Sequence, residues 1–271
     1  SLPKFSKPKF KFPRLPSLPP PSSGFLPRLF IFSAAGLFSL TFLLSLFYFF
    51  IIKDLPSPQI LSTQTPKLTT QIFDRHGTLL YQIYTDENRQ LIHLSDLPPY
   101  VTQALIAIED KHFYEHQGIS FEGILRALDR NLNSNSLQGG STITQQLVKN
   151  TLLTHERTLR RKLKEIILAI HTELIYSKDQ ILQMYLNQVS FGGTAYGIQS
   201  AAKMYFDKSA ADLTLPQAAL LAGLPQSPTR YSPFGLHPNL AKSRQLEVLA
   251  RMREDGYITT QQEYDSLKQL P

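Results

Sequence analysis

The 271-residue sequence predicts a mainly α-helical domain that opens on one short β-hairpin and sits behind a single membrane-spanning helix. Three observations predict it. Residues 29–52, LFIFSAAGLFSLTFLLSLFYFFII, contain no charged side chain, and about 20 apolar residues span a bilayer as a helix. Two β-rich runs flank the turn signal Asp74-Arg75-His76-Gly77. From Pro98 onward, apolar residues recur at helical rather than alternating spacing.

The apolar segment explains the charge. Formal net charge is +7, yet six of the 28 basic residues and no acidic one lie in residues 1–52. The other 22 nearly balance the 21 acidic residues, so the basic excess belongs to a tail and nucleic acid is not expected as a partner. A secretory signal has a shorter apolar stretch, about 7–15 residues, and no small-residue cleavage pattern follows Ile52. The segment therefore reads as a retained anchor. Positive flanks stay cytoplasmic, which puts the tail 1–28 inside and everything after Lys53 outside. The first residue is Ser, so the natural chain is expected to begin earlier. Without cysteine, disulfides and thiolate metal sites are excluded.

Residues 53–70, with three prolines, read as a linker, and 71–271 as the exported domain. Val101, Leu105 and Ile108 mark one buried helical face, and Ile124, Leu125, Leu128 and Leu132 another. Leu159, Leu163, Ile166, Ile167, Ile170 and Leu174 mark a third between 157 and 176. Further helices are predicted at 178–187, 195–206, 214–223 and 238–254. The polar segment NLNSNSLQGG, 131–140, reads as a mobile loop. No internal repeat is visible.

Two stretches carry chemistry. In GGSTITQQLVKN, 139–150, Ser141 is a good N-cap. A helix starting there would line up Ser141, Gln145 and Lys149 on one polar stripe, suited to a sugar or a phosphate. A solvated polar face is the plain alternative. In ERTLRRKLKEIILAI, 156–170, Arg157, Arg161 and Glu165 fall at i, i+4 and i+8, with Arg160, Lys162 and Lys164 beside them. Crowded cations repel and are best tolerated around an anion such as pyrophosphate. Glu165 would orient them, hold a divalent ion, or touch the substrate.

Five blocks then occur in order: AIEDKHFYEHQGIS, GGSTITQQLVKN, RKLKEI, ILQMYLNQVSFGGTAYGIQSAAKMYF and LTLPQAALLAGLPQSPTRYSP. Together they resemble the family 51 peptidoglycan glycosyltransferases, the polymerase domain of bifunctional penicillin-binding proteins and of monofunctional transglycosylases, over roughly residues 71–265. The resemblance implies a lysozyme-like, two-lobed α fold acting on lipid II at the bacterial plasma membrane. It implies polymerisation into β-1,4 glycan with inversion and release of undecaprenyl pyrophosphate. Glu109 maps onto the catalytic base and Glu165 onto the second carboxylate, near the departing pyrophosphate. Lys149 and Arg157 map onto pyrophosphate contacts, with Lys162 and Lys164 nearby. Ser141, Gln145 and Gln146 map onto donor-site contacts. The resemblance implies no required cofactor and is compatible with a divalent cation, Mg or Mn, near Glu165. Expected partners are lipid II, the nascent glycan strand, the bilayer and cell-wall synthesis proteins. Thr194 and Gln217 depart from the family's usual Gly and Glu, which bears on local packing.

Other readings compete. His112-Phe113-Tyr114-Glu115-His116 fits H-x-x-E-H, a zinc peptidase pattern, but it accounts for three residues where the family pattern accounts for Glu109, Asp110, Phe113, His116 and Gly118. Asp110 and His116 are expected to be structural, and no metal site is expected from the two histidines. Ser200-Ala201-Ala202-Lys203 fits S-x-x-K, the transpeptidase nucleophile motif, yet lies inside the fourth block, and this chain has no K-T-G. The 74–77 hairpin resembles the lead-in of bifunctional members, so a transpeptidase domain after Pro271 is compatible with the sequence. Phe113, Tyr114, Ile119, Phe121, Ile124 and Leu125 fit either core or a lobe dipping into the bilayer. A lytic enzyme of the same fold would not need the cations around Lys149 and Arg157–Lys164. A non-catalytic scaffold would not need both glutamates.

Overall fold

The computed structural model describes residues 25–63, 69–76, 79–83, 87–123, 140–154, 156 and 158–269. Most of the tail, the run 124–132, most of the 131–140 loop and Arg157 lie outside the described residues.

The chain forms two units, residues 1–53 and 54–271. In the first, α1 (Phe25–Phe47) runs into a π-helical turn, Tyr48–Ile52. Residues 30–52 have a mean hydropathy of 2.2 and are long and apolar enough to cross a membrane. Phe, Leu and Ile side chains are exposed along this stretch. The hydroxyls of Ser33 and Thr41 donate to the carbonyls of Phe30 and Phe38 one turn back, so neither is left without a partner in an apolar setting.

The second unit is mainly helical. α2 (Ile60–Thr63) buries Leu61, and the Tyr176 hydroxyl donates to Ser62 Oγ at 2.8 Å. β1 (Thr70–Phe73) and β2 (Leu79–Ile83) form the expected antiparallel hairpin, with an irregularity at Ile72/Phe73. Asp74 begins its turn by accepting the His76 N–H at 2.8 Å.

A second small sheet was not expected from the sequence. β3 (Asn88–Arg89) lies parallel to β5 (Ala195–Tyr196), which pairs antiparallel with β4 (Ser190–Gly192). Strands of two or three residues are too short to show a period. They also correct the helix expected at 195–206. Gly197 has φ +83°, a turn that ends β5, and the helix starts at Ile198.

Among the described residues, six helices frame the site. They are α3 (Pro99–Glu109), α4 (Ile143–Thr151), α5 (Leu159–Ile175), α6 (Lys178–Gln188), α8 (Leu215–Ala222) and α9 (Pro238–Glu254). Between them lies α7 (Ile198–Phe206), and α10 (Thr260–Lys268) follows. α3 packs on α8 and α9, and α4 on α5 and α6. Leu105, Phe113, Ile143, Leu147, Leu168, Leu182 and Leu186 share one buried cluster, and Ala104, Ile108, Val248, Leu249 and Met252 another. Gln217 closes a capping box with Thr214 at the start of α8, a role that Gln fills as Glu would.

The apolar run after Glu109 divides. Phe113 is fully buried, whereas Tyr114 and Phe121 are exposed; Ile124 and Leu125 lie outside the described residues.

Candidate active site

α3 ends at Glu109, and residues 111–118 turn rather than continue the helix. His112 and His116 therefore do not share a helix face. His112 faces Glu115 and Glu122, while His116 Nε2 lies 3.0 Å from both oxygens of Asp110. Among the described residues no cluster of three metal-binding side chains is found.

The start of α4 corrects the expected cap. Thr142, not Ser141, is the N-cap. Its Oγ1 accepts the Gln145 N–H at 3.1 Å, and Gln145 Oε1 accepts the Thr142 N–H at 2.9 Å. Ser and Thr cap comparably; tertiary contacts choose between them. Asp110 Oδ2 accepts the Ile143 N–H at 2.9 Å, and the Thr142 hydroxyl donates to the Gly118 carbonyl at 2.8 Å. Gln145 is consequently buried at 2% exposure with its amide committed to the cap, and it is not among the residues lining the cavity.

The cavity measures about 190 Å³ and is lined by Glu109, Ser141, Gln146 and Lys149 together with Pro225, Gln226, Arg244 and Arg251. The Glu109 side chain is 6% exposed. Gln146 Nε2 donates to Glu109 Oε2 at 2.7 Å, and an Arg244 guanidinium nitrogen stands 3.8 Å from Oε1. Oε1 has no hydrogen-bond partner among the described residues. Burial pushes the Glu109 carboxyl above its ordinary pKa, against the Gln146 hydrogen bond and the charges of Arg244, Lys149 and Arg251. Lys149 moves the other way, lowered first by burial and then by Arg161 and Lys162, while Glu165 and Glu109 oppose that. A carboxylate made more basic thus faces three cations.

Glu165 lies on α5, 2% exposed. It pairs with Lys162, whose Nζ also donates to Ser141 Oγ at 2.9 Å. Lys162 therefore ties the second carboxylate to the cavity rim. Lys164 sits half-buried on the same helix and does not line the cavity. Ser200 is buried and its Oγ accepts the Gln90 N–H, while Lys203 pairs with Asp207. That Ser/Lys pair is structural.

Sequence reasoning missed Arg244 and Arg251. Arg251 donates to the Ile108 carbonyl at 3.2 Å, and both arginines hold Glu247, at 2.7 and 2.5 Å. Burial alone would raise the Glu247 pKa, but hydrogen bonds and charge from the two arginines outweigh it and leave it lowered. A signal existed. Ala241, Arg244, Val248 and Arg251 follow i, i+3, i+7, i+10, so two cations occupy the core-facing stripe of α9.

The chain matches the family model described as Transglycosylase over residues 76–253. It is 46% identical over 195 residues to penicillin-binding protein 1F of Bacillus subtilis, covering 72% of this chain and 27% of that protein. It is 45% identical over 213 residues to penicillin-binding protein 1A of Aquifex aeolicus, covering 78% and 29% respectively. A crystal structure of penicillin-binding protein 1A from Haemophilus influenzae overlaps 76% of this chain and 21% of that one, at 24% identity and a TM-score of 0.45. The chain spans under a third of the length of these relatives.

Proposed function

Because the chain belongs to the transglycosylase family, we propose that it polymerises lipid II into β-1,4 glycan, with inversion and release of undecaprenyl pyrophosphate. One observation carries the reading. Glu109 is a buried carboxylate with one oxygen held by Gln146 and the other, 3.8 Å from Arg244, without a hydrogen bond among the described residues, in a cavity also lined by Lys149, Arg244 and Arg251. A general base needs hydrogen-bond reach to the proton it takes and a pKa matched to its work. Burial makes Glu109 more basic, and the Gln146 hydrogen bond and the charges of Arg244, Lys149 and Arg251 oppose that rise in favour of the ionised form. Glu109 Oε1 takes the proton of the acceptor sugar's 4-hydroxyl as that oxygen bonds to the donor's anomeric carbon. The bond from that carbon to the pyrophosphate oxygen breaks, and its electrons leave with the pyrophosphate.

Lys149 and Arg157 meet the departing charge, with Lys162 and Lys164 supporting them. Glu165 holds Lys162 in place, and Ser141 and Gln146 contact the donor. Gln145 serves the site through the helix cap. A divalent ion, Mg or Mn, beside Glu165 would have to displace the Lys162 ammonium that this buried carboxylate holds. α1 anchors the chain in the plasma membrane with residues 1–28 cytoplasmic and the catalytic unit outside, in reach of other cell-wall synthesis proteins.

The test is polymerisation of labelled lipid II by detergent-purified protein, beside Glu109→Gln, with and without chelator. Long glycan from wild type and none from Glu109→Gln is expected. No polymer from a folded wild type would overturn the reading, and shortening of preformed glycan would replace it with a lytic one. Loss of activity with chelator alone would assign the divalent ion.

A further inference from the structure

Tyr185 lies on α6 with its ring in the main apolar cluster, 1% exposed. Its hydroxyl donates to Gln146 Oε1 at 2.9 Å, and Gln146 Nε2 donates onward to Glu109 Oε2 at 2.7 Å. No other hydrogen bond from this hydroxyl is found among the described residues. We infer that Tyr185 is a positioning residue for Glu109: its hydroxyl fixes which end of the Gln146 amide meets the carboxylate.

The argument rests on donor and acceptor inventory. The two ends of a Gln amide have nearly the same shape, so space alone does not choose between them. Flipping it would aim the carbonyl oxygen at the Glu109 carboxylate, and an ionised carboxylate only accepts. The flip would also turn the amide NH₂ toward Tyr185 and strand the hydroxyl proton in the core, where an unmet donor is costly. The outer bond therefore enforces the inner one. Donation from Nε2 favours the charged form of Glu109.

Tyr185 stays a donor because its own pKa lies well above the ordinary value, first through burial and then through the charges of Glu109 and Asp110. The other charged groups acting on Glu109 are Lys149 from α4 and Arg244 and Arg251 from α9. They raise its acidity from other helices, and none bonds the Gln146 amide.

The inference rests on Glu109 as the base, and its test reads that carboxyl directly. The full chain in detergent micelles is labelled with carboxyl-¹³C glutamate, and the Glu109 resonance is the one lost in Glu109→Gln. In Tyr185→Phe, which keeps the ring, Glu109 should titrate at higher pH. Lipid II polymerisation should fall about two- to tenfold, the order of one neutral hydrogen bond. The acid limb of its pH profile should move the same way, with KM little changed. In a Gln146→Met background, Tyr185→Phe should add nothing to either readout. An unmoved Glu109 titration, or an equal effect in that background, would overturn the inference. If wild type makes no polymer, the functional reading fails, while the titration still decides the role of Tyr185.

Discussion

Asp110 accepts the backbone N–H of Ile143 at 2.9 Å across 33 positions of sequence, while His116 holds both of its oxygens. The residue after Glu109 thereby fixes where α4 begins, and so where Gln146 and Lys149 stand. A carboxylate at a helix start satisfies an orphan donor and complements the dipole. Asp110→Ala removes that partner and leaves His116 facing a void. Unfolding stability should fall by about 2–4 kcal/mol, the range for buried hydrogen bonds to a charged group plus an unsatisfied partner. Asp110→Asn, which keeps an acceptor, should fall less. Urea unfolding of both variants checks this, and equal midpoints for Asp110→Ala and wild type would contradict it.

Gly118 locks the same loop from its other end. Its φ is +84°, and a Cβ there would meet the backbone of Ala169 at 2.8 Å. Side chains rarely adopt that φ, and backbone cannot step aside as a flexible side chain can. Gly118→Ala should cost several kcal/mol, more than the ~1 kcal/mol of a typical substitution. It should also disturb the Thr142 hydroxyl that donates to the Gly118 carbonyl. A thermal melt decides it, and a Tm equal to wild type would show that α5 yields.

Glu109 stands in the first of the five blocks and Lys149 on the helical stripe read from spacing, whereas Gln146 came only with the family resemblance; the stripe itself pointed to Gln145, which the cap of α4 holds away from the cavity. Ser141 as a cap was misread because Ser and Thr are near-equal caps, and the register is settled by Asp110, far away in sequence. Arg244 is brought to Glu109 by the packing of α3 on α9, a pairing 135 positions apart that no local period encodes. The helices were legible wherever an apolar face repeats over three turns. The β3–β5–β4 sheet was not, because its shortest strands hold only two residues.

Burial of Glu109 has a stability consequence with a definite sign. Its pKa in the folded chain lies above the ordinary value, so the folded state binds the proton more tightly than the unfolded one. Its contribution to stability is full below the ordinary carboxylate range and is lost as pH rises through the folded value. Glu109→Gln does not titrate and keeps a similar shape. Relative to wild type, that variant should gain stability as pH rises from about 4 toward neutrality. It should at the same time lose about 10²–10⁴-fold in polymerisation, the usual contribution of a general base. Urea midpoints over that pH range, beside activity, test both. Parallel stability curves would mean that the carboxyl pays no desolvation cost.

Arg244 and Arg251 set the other side of that balance. Both lower the proton affinity of Glu109 through their charge, while Glu247 holds them in place from one turn of α9. Arg244 is 8% exposed, so its field is little screened by solvent. Arg244→Gln should raise the Glu109 pKa further, since burial would then be opposed only by Gln146, Lys149 and Arg251. The acid limb of the variant's pH–rate profile should move to higher pH, so that part of the lost rate returns as pH rises. Arg251→Gln should do the same more weakly, because its contribution to Glu109 ranks below those of Arg244 and Lys149. Glu247→Gln should weaken the positioning of both arginines without removing either charge, giving an intermediate pH profile. Rates of lipid II polymerisation across pH for the three variants test this order. A uniform drop with no movement of the acid limb would assign the arginines to substrate contact instead of to the tuning of Glu109.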